Sequence, residues 1–182
     1  MILENVCKYK DYLGSVFDEM GFNGSFQIVK DDIHLTIITA NKTQTEKQVL
    51  EKLKEITLKK KKQELETKIN AICKEKIIKD FRSSVLGSMH AYDLTLEDQS
   101  NLQALVIAGI DSVFRCAEVD NNDVLGNKTY KKHTKSQILQ LSKEALKFKT
   151  NLIVFYGREK ERLEAVSSLE ELEKFKLKEY LT

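Results

Sequence analysis

A chain of 182 residues, 41% of them hydrophobic, can fold as one medium domain or two small ones around a modest core. Its net charge of +2 is close to neutral, and no apolar run approaches the roughly 18 residues of a membrane-spanning helix. The first residues do not combine a basic region with an apolar stretch and a cleavage site. We therefore expect a folded protein with no membrane span and no signal peptide.

The residue types that interrupt helices are scarce. The chain has no proline and only seven glycines, so few positions break backbone hydrogen bonding. Its three cysteines, Cys7, Cys73 and Cys116, are odd in number and far apart, which favours reduced thiols over disulfides. We expect a mainly α protein with small β elements (α+β): a long helix in the N-terminal half, two short β-hairpins and a C-terminal helical module.

The first forty residues change from helix-like to strand-like spacing. Apolar residues from Leu3 to Met20 recur largely at helical intervals, which predicts an amphipathic helix over residues 1–20. Gly21 and Gly24 then favour its end. Two runs rich in β-branched residues follow, and they predict a β-hairpin with strands at 26–29 and 33–39 around a polar turn at 30–32.

A capping box at Thr43–Glu46 predicts the start of a long helix that reaches about Phe81. Its apolar residues form a narrow stripe among Lys and Glu, and the stripe shifts at the basic run Lys59–Lys62. Such a stripe is typical of a helix that packs on a partner, either a helix of the same chain or a second copy in a coiled coil. We favour self-association, with a contact face formed by Val49, Leu53, Ile56, Leu65, Ile69 and Ile72.

The segment Phe81–Leu102 joins this Lys-rich helix to a different kind of sequence. From this segment onwards, capping motifs predict three helices: one from Thr95–Asp98 to about Gly109, one from Thr134–Gln137 towards Val166, and a short one from Ser168–Glu171. Between the first two helices, a polar turn at 120–123 predicts a pair of strands at 113–119 and 128–132. We therefore place a domain boundary between residues 82 and 83. Residues 1–82 would form an attachment or oligomerisation segment, and residues 83–182 a second module.

The densest polar cluster follows the joining segment and consists of Tyr92, Asp93, Asp98, Gln99 and Asn101. Carboxylates and amides are oxygen ligands, so one interpretation of this cluster is a site for a metal ion or a sugar. The same residue types also cap helices and fasten turns. We favour this structural interpretation.

No catalytic motif accompanies the three histidines. His34, His90 and His133 lack metal-ligand spacing, and the chain has no Cys-x-x-Cys, Gly-x-Ser-x-Gly or phosphate-binding glycine loop. We predict ordinary hydrogen-bonding roles for these histidines. The sequence therefore predicts no catalytic residue, no cofactor and no metal ion, and hence a protein that is not an enzyme.

The basic run Lys59–Lys62 could bind nucleic acid by displacing counterions from phosphates. Glutamates of the same helix dilute its charge, however, and no interleaved aromatic side chains offer stacking surfaces for bases. We favour a solvated helix face. A nucleic-acid-binding accessory protein stays the alternative from another functional class.

Five short motifs follow one another along residues 81–177. They are Tyr92-Asp93, Asp98-Gln99-Ser100-Asn101-Leu102, Phe114-Arg115-Cys116, His133-Thr134 and Leu163-Glu164-Ala165-Val166-Ser167-Ser168-Leu169-Glu170-Glu171-Leu172. This order resembles a domain of unknown function found near the C-terminus of phage and prophage tail-fibre-associated proteins. The family-like residues are Tyr92, Asp93, Asp98, Gln99, Asn101, His133 and Thr134.

The resemblance implies a non-enzymatic structural component of a phage or prophage tail, located in the virion tail after synthesis in the bacterial host cytoplasm. Its expected partners are further copies of itself and neighbouring tail proteins, and we do not expect nucleic acid. A tail-fibre assembly chaperone is the alternative in the same setting. The resemblance brings no catalytic residues, because the family has no agreed activity.

Overall fold

The computed structural model describes residues 2–40, 45–79 and 81–180, with the backbone alone for residues 37–40. The chain is 57% helical and 21% strand, in two small antiparallel sheets, which confirms the α+β class with mainly helices. In chain order the elements are β1 (Ile2–Leu3), a 3-10 helix (Cys7–Tyr12), α1 (Leu13–Met20), β2 (Phe22–Val29), β3 (Asp32–Ala40), α2 (Glu46–Lys79), β4 (Phe81–Ser83), β5 (His90–Tyr92), α3 (Leu96–Ala108), β6 (Ser112–Glu118), β7 (Thr129–His133), α4 (Lys135–Glu164) and α5 (Leu169–Lys174).

The chain divides into two compact units. Unit 1 comprises Met1–Glu66 and Arg162–Lys176, and unit 2 comprises Thr67–Glu161 and Leu177–Thr182. This division differs from the boundary expected between residues 82 and 83, and separate folding of residues 83–182 stays a prediction. None of the described helices is long and apolar enough to cross a membrane.

Unit 1 begins with a strand instead of the expected helix. The helix predicted over residues 1–20 is wrong for its first half, because Ile2 and Leu3 pair with β3 and Asn5 adopts a left-handed backbone conformation (φ 56°). Regular α-helix starts only at Leu13. It ends, as predicted, at Gly21, whose φ of 66° places it in the left-handed region that glycine favours.

The predicted hairpin of unit 1 is confirmed. Strands β2 and β3 pair antiparallel, and Lys30 at the turn has a left-handed φ of 57°. Strand β2 starts four residues earlier than predicted, so Gly24 lies inside it. The register shifts between Asn23 and Gly24, as in a β-bulge. The sheet order is β1-β3-β2.

The long helix α2 is confirmed. Its described N-cap is Thr45, whose hydroxyl accepts a hydrogen bond from the Gln48 backbone N–H (3.3 Å) while the Gln48 side chain accepts one from the Thr45 N–H (2.9 Å). Thr43 and Gln44 of the predicted capping box lie outside the described residues. The helix ends at Lys79, and Phe81 already belongs to strand β4.

The core of unit 1 combines residues 3–56 with one residue from much later in the chain, Leu169. Its buried members are Leu3, Val6, Tyr9, Leu13, Val16, Phe22, Ile33, Leu35, Val49, Leu53, Ile56 and Leu169. Leu169 comes from α5, where the predicted cap is confirmed because the Ser168 hydroxyl accepts from the Glu171 N–H (3.1 Å). The Glu171 carboxylate accepts in turn from Ser167. This reciprocal bonding fixes the short helix that carries Leu169 into the core.

Unit 2 contains the second sheet, with strand order β4-β5-β6-β7. The hairpin of β6 and β7 is confirmed, and so are both predicted helix starts, with side-chain caps at Thr95–Asp98 and Thr134–Gln137. Helix α3 ends at Gly109 with φ 63°, as predicted. The pairing of β4 with β5 was not predicted, because strands of three residues are too short to show an alternating pattern.

Candidate protein interaction surface

The expected self-association face of α2 is largely covered by the chain itself. Val49, Leu53, Ile56 and Ile69 are no more than 1% exposed, whereas Leu65 and Ile72 are partly buried. The first three pack in the core of unit 1. The expectation is therefore wrong for these four residues, since a side chain buried within the monomer has no surface left for a second copy. Helical periodicity identifies a buried face but not what buries it.

Strand β2 presents a different surface, an open sheet edge. It pairs with β3 on one side, and no described strand pairs with its other side. Its segment Ser25–Val29 is exposed and has neither a charged residue nor a proline. An unpaired edge of this kind offers free backbone donors and acceptors to another strand.

The other described sheet edges lack this combination of length and neutrality. β1 has two residues and β4 has three, so each offers few backbone groups. β7 carries Lys131 and Lys132, and lysine on an edge strand opposes pairing with another chain. Among the described edge strands, the segment Ser25–Val29 of β2 is thus the one that is both long and uncharged.

An apolar strip accompanies this edge. Phe26 lies opposite Leu35 and Ile28 opposite Ile33, and residues paired in this way share one face of a sheet. Leu35 and Ile33 are 5% and 0% exposed, but Phe26 and Ile28 are 41% and 40% exposed. The buried face of β3 therefore continues onto β2, where Phe26 and Ile28 are only partly covered.

The strand over residues 26–29 was predicted from the sequence, but its position at an open sheet edge was not. The absence of charge from Ser25–Val29 is the signal that would have pointed to an unprotected edge. The order of the strands in the sheet, which makes β2 an edge, could not be deduced from the residues alone.

The family-like residues are mostly engaged in structural bonds. Asp98 caps α3, Thr134 caps α4, and Asp93 accepts a hydrogen bond from Lys128 Nζ at 2.7 Å. Gln99 donates to the Leu94 carbonyl (2.8 Å) and accepts from Lys149 Nζ (2.6 Å), while Asn101 is exposed. Among the described residues, no group of three or more His, Cys, Asp or Glu side chains could hold a metal ion.

Tyr92 and His133 meet in the core of unit 2. The Tyr92 hydroxyl lies 3.1 Å from His133 Nε2, and both residues are only 1% exposed. His133 Nδ1 bonds the Lys131 carbonyl at 2.9 Å, which leaves Nε2 to accept from Tyr92 when the imidazole is neutral. Burial lowers the pKa of His133, and the neighbouring His90 lowers it further. Burial raises the pKa of Tyr92, so its hydroxyl stays a donor.

We expect the stability of unit 2 to fall when the pH drops below the usual histidine pKa of 6.5. Below this pH, His133 of the unfolded chain binds a proton, whereas His133 of the folded protein stays neutral because its pKa is lowered. The full stability is therefore present above this pH and is lost progressively below it. The measurement is urea unfolding at about pH 7.5 and about pH 5 for the wild type, His133→Asn and the control His34→Asn. An equal loss of stability at low pH in all three proteins would exclude His133 as the cause.

The basic run of α2 is partly committed to contacts within unit 1. Lys62 Nζ donates to the carbonyls of Glu164 (2.6 Å) and Val166 (3.3 Å), at the C-terminal end of α4. Lys61 Nζ lies over the Tyr9 ring at 6.0 Å. Of the four lysines, Lys59 and Lys60 are exposed, whereas Lys61 and Lys62 are partly buried.

No protein-family model, curated protein or solved structure matches this chain. The resemblance of residues 81–177 to the tail-fibre-associated domain therefore stays a prediction that rests on the residue pattern alone.

Proposed function

We propose that the protein is a non-enzymatic structural component that acts by protein–protein contact, and that β2 is its contact strand. The observation that supports this proposal is the open, uncharged edge Ser25–Val29 with the exposed apolar side chains of Phe26 and Ile28 beside it. An added strand would bond the free backbone groups and cover both side chains.

The first partner is a second copy of the chain. Two β2 strands can pair antiparallel about a two-fold axis, because such an interface uses the same residues on both sides. Segment Ser25–Val29 carries no charge, so two copies meet without like-charge repulsion. Self-association thus stays part of the proposal, but its site moves from α2 to β2.

The proposed setting is a phage or prophage tail, as the resemblance of residues 81–177 implies, with neighbouring tail proteins as further partners. A self-complementary contact gives a closed dimer, which would enter a larger assembly through further, different contacts. A tail-fibre assembly chaperone is the alternative. Mass spectrometry of purified virions distinguishes them, since a structural component stays in the particle and a chaperone does not.

We expect the wild-type protein to be a dimer, with twice the chain mass of 21.0 kDa, and Ile28→Lys to be a monomer. The two-fold axis places two lysines in the same small interface, where they repel each other and expose the edge to water. The measurement is light scattering after size-exclusion chromatography over a range of protein concentrations, with circular dichroism to verify folding.

The matched control for this experiment is Val113→Lys. Val113 is an exposed strand residue of similar accessibility (49%) in β6, which is not part of the proposed contact strand. This variant should remain a dimer. A monomeric wild type, or a dimer that Ile28→Lys leaves intact, would contradict the assignment of β2 as the contact strand.

A further inference from the structure

Unit 2 contains an apolar groove of about 380 Å³ that the proposed contact strand does not involve. Helices α2, α3 and α4 each contribute to it, and Ile77, Ile78, Leu96, Ile153 and Tyr156 form its apolar wall. Leu96 and Ile153 are 76% and 50% exposed, so apolar surface remains open to solvent there. The volume lies at the small end of the range for ligand cavities, about 300–1,000 Å³.

Lysine side chains line the groove beside this apolar wall. Lys74, Lys149 and Lys160 line the groove, and no aspartate or glutamate is among its described lining residues. Lys149 is held by Gln99, whose side-chain oxygen accepts from Lys149 Nζ at 2.6 Å. Within the described part of the chain, Lys74 and Lys160 have no hydrogen-bond or ion-pair partner. The groove is therefore complementary to an anion with an apolar body.

A glycine keeps the groove open. Gly157 lies in the interior of α4, where glycine destabilises a helix by about 1 kcal/mol relative to alanine. Apart from the adjacent residues and the backbone of its own helix turn, no atom of the described residues lies within 4 Å of a Cβ built at this position, so close packing does not require glycine there. The position instead faces free space in the groove, and a large side chain on α4 would fill it.

We propose that this groove binds a single-chain amphipathic anion, namely a medium-chain alkyl carboxylate. The alkyl chain lies along the apolar wall, and the carboxylate bonds the lysine ammonium groups. The alkyl chain covers the exposed surface of Leu96 and Ile153, and the charge supplies a partner for Lys74 and Lys160. A neutral apolar ligand would leave these ammonium groups without an anionic partner.

Isothermal titration calorimetry with decanoate, below its micelle-forming concentration, tests the proposal on the chain of residues 1–182. We expect saturable binding of one decanoate per chain. The double variant Lys74→Gln, Lys160→Gln should weaken it at least tenfold, and decanol should bind more weakly than decanoate by a similar factor. Gly157→Phe should abolish binding, whereas Gly157→Ala, the matched control, should retain it.

Three results would overturn the proposal. They are the absence of saturable decanoate binding to the wild type, equal binding by Gly157→Phe, and equal affinity for decanol and decanoate. Circular dichroism confirms that each variant is folded, and the lysine double variant provides a test that does not depend on the bulky replacement. Because the dimer contact is in β2, Ile28→Lys should bind decanoate normally, so the two proposals can fail separately.

Discussion

Leu53→Asp is expected to unfold unit 1, with a loss of roughly 4 kcal/mol or more in the free energy of unfolding. Leu53 is 0% exposed and packs in the core with Leu13 and Ile56. The change removes a buried apolar side chain and introduces a carboxylate without a compensating charge. Since whole domains are stable by only about 5–15 kcal/mol, this loss is a large share of the total. Urea unfolding monitored by circular dichroism measures it.

Leu65→Asp is the matched control for this experiment. Leu65 lies in the same helix α2 but is only partly buried, so its replacement should cost much less. A Leu53→Asp protein that stays folded as a monomer would instead restore the hypothesis that this face of α2 joins two copies. The experiment therefore separates an intrachain role from an intermolecular one.

Tyr92→Ala should destabilise unit 2 by about 3–5 kcal/mol, the range for a large aromatic residue deleted from a core. The Tyr92 ring packs on Phe81 (5.9 Å between centroids), Phe114 (6.2 Å) and His133 (5.9 Å). Four elements of the unit thus meet at this ring: β4, β5, β6 and β7. Thermal unfolding followed by circular dichroism provides the measurement.

Two further variants dissect the effect at Tyr92. Tyr92→Phe keeps the ring but leaves His133 Nε2 buried without its hydroxyl partner, which should cost about 1–3 kcal/mol. Tyr130→Ala, at a tyrosine of the same sheet that is 71% exposed, should change stability by no more than about 0.5 kcal/mol. Equal losses at Tyr92 and Tyr130 would show that the aromatic cluster does not hold the unit together.

The features predicted correctly from the sequence are local ones. The caps at Thr95, Thr134 and Ser168 each join residues three positions apart, so the relevant hydrogen bonds can be deduced from a short window. The end of α3 at Gly109 likewise depends on the residue at that position, because glycine favours the left-handed conformation found there (φ 63°). These signals are independent of the rest of the fold.

The features that were missed depend on distant residues. Ile2 and Leu3 become a strand because His34 and Ile33 pair with them, and this tertiary pairing overrides their helical spacing. Burial of Val49 by its own chain, the edge position of β2 and the groove beside Gly157 are likewise properties of the packed chain. Local sequence gives only a partial sign of one of them, the absence of charge from Ser25–Val29, and it does not give the strand order.

The packing of α5 on the N-terminal core of unit 1 has a consequence for biosynthesis. Leu169 completes a core built from residues 3–56, and Lys8 bonds Glu173 across 165 positions of sequence (3.0 Å). The N-terminal residues leave the ribosome long before α5 is made, so the apolar core of unit 1 stays incomplete until then. We infer that unit 1 reaches its native state only after α5 has been synthesised, and that the nascent chain needs protection from aggregation until then.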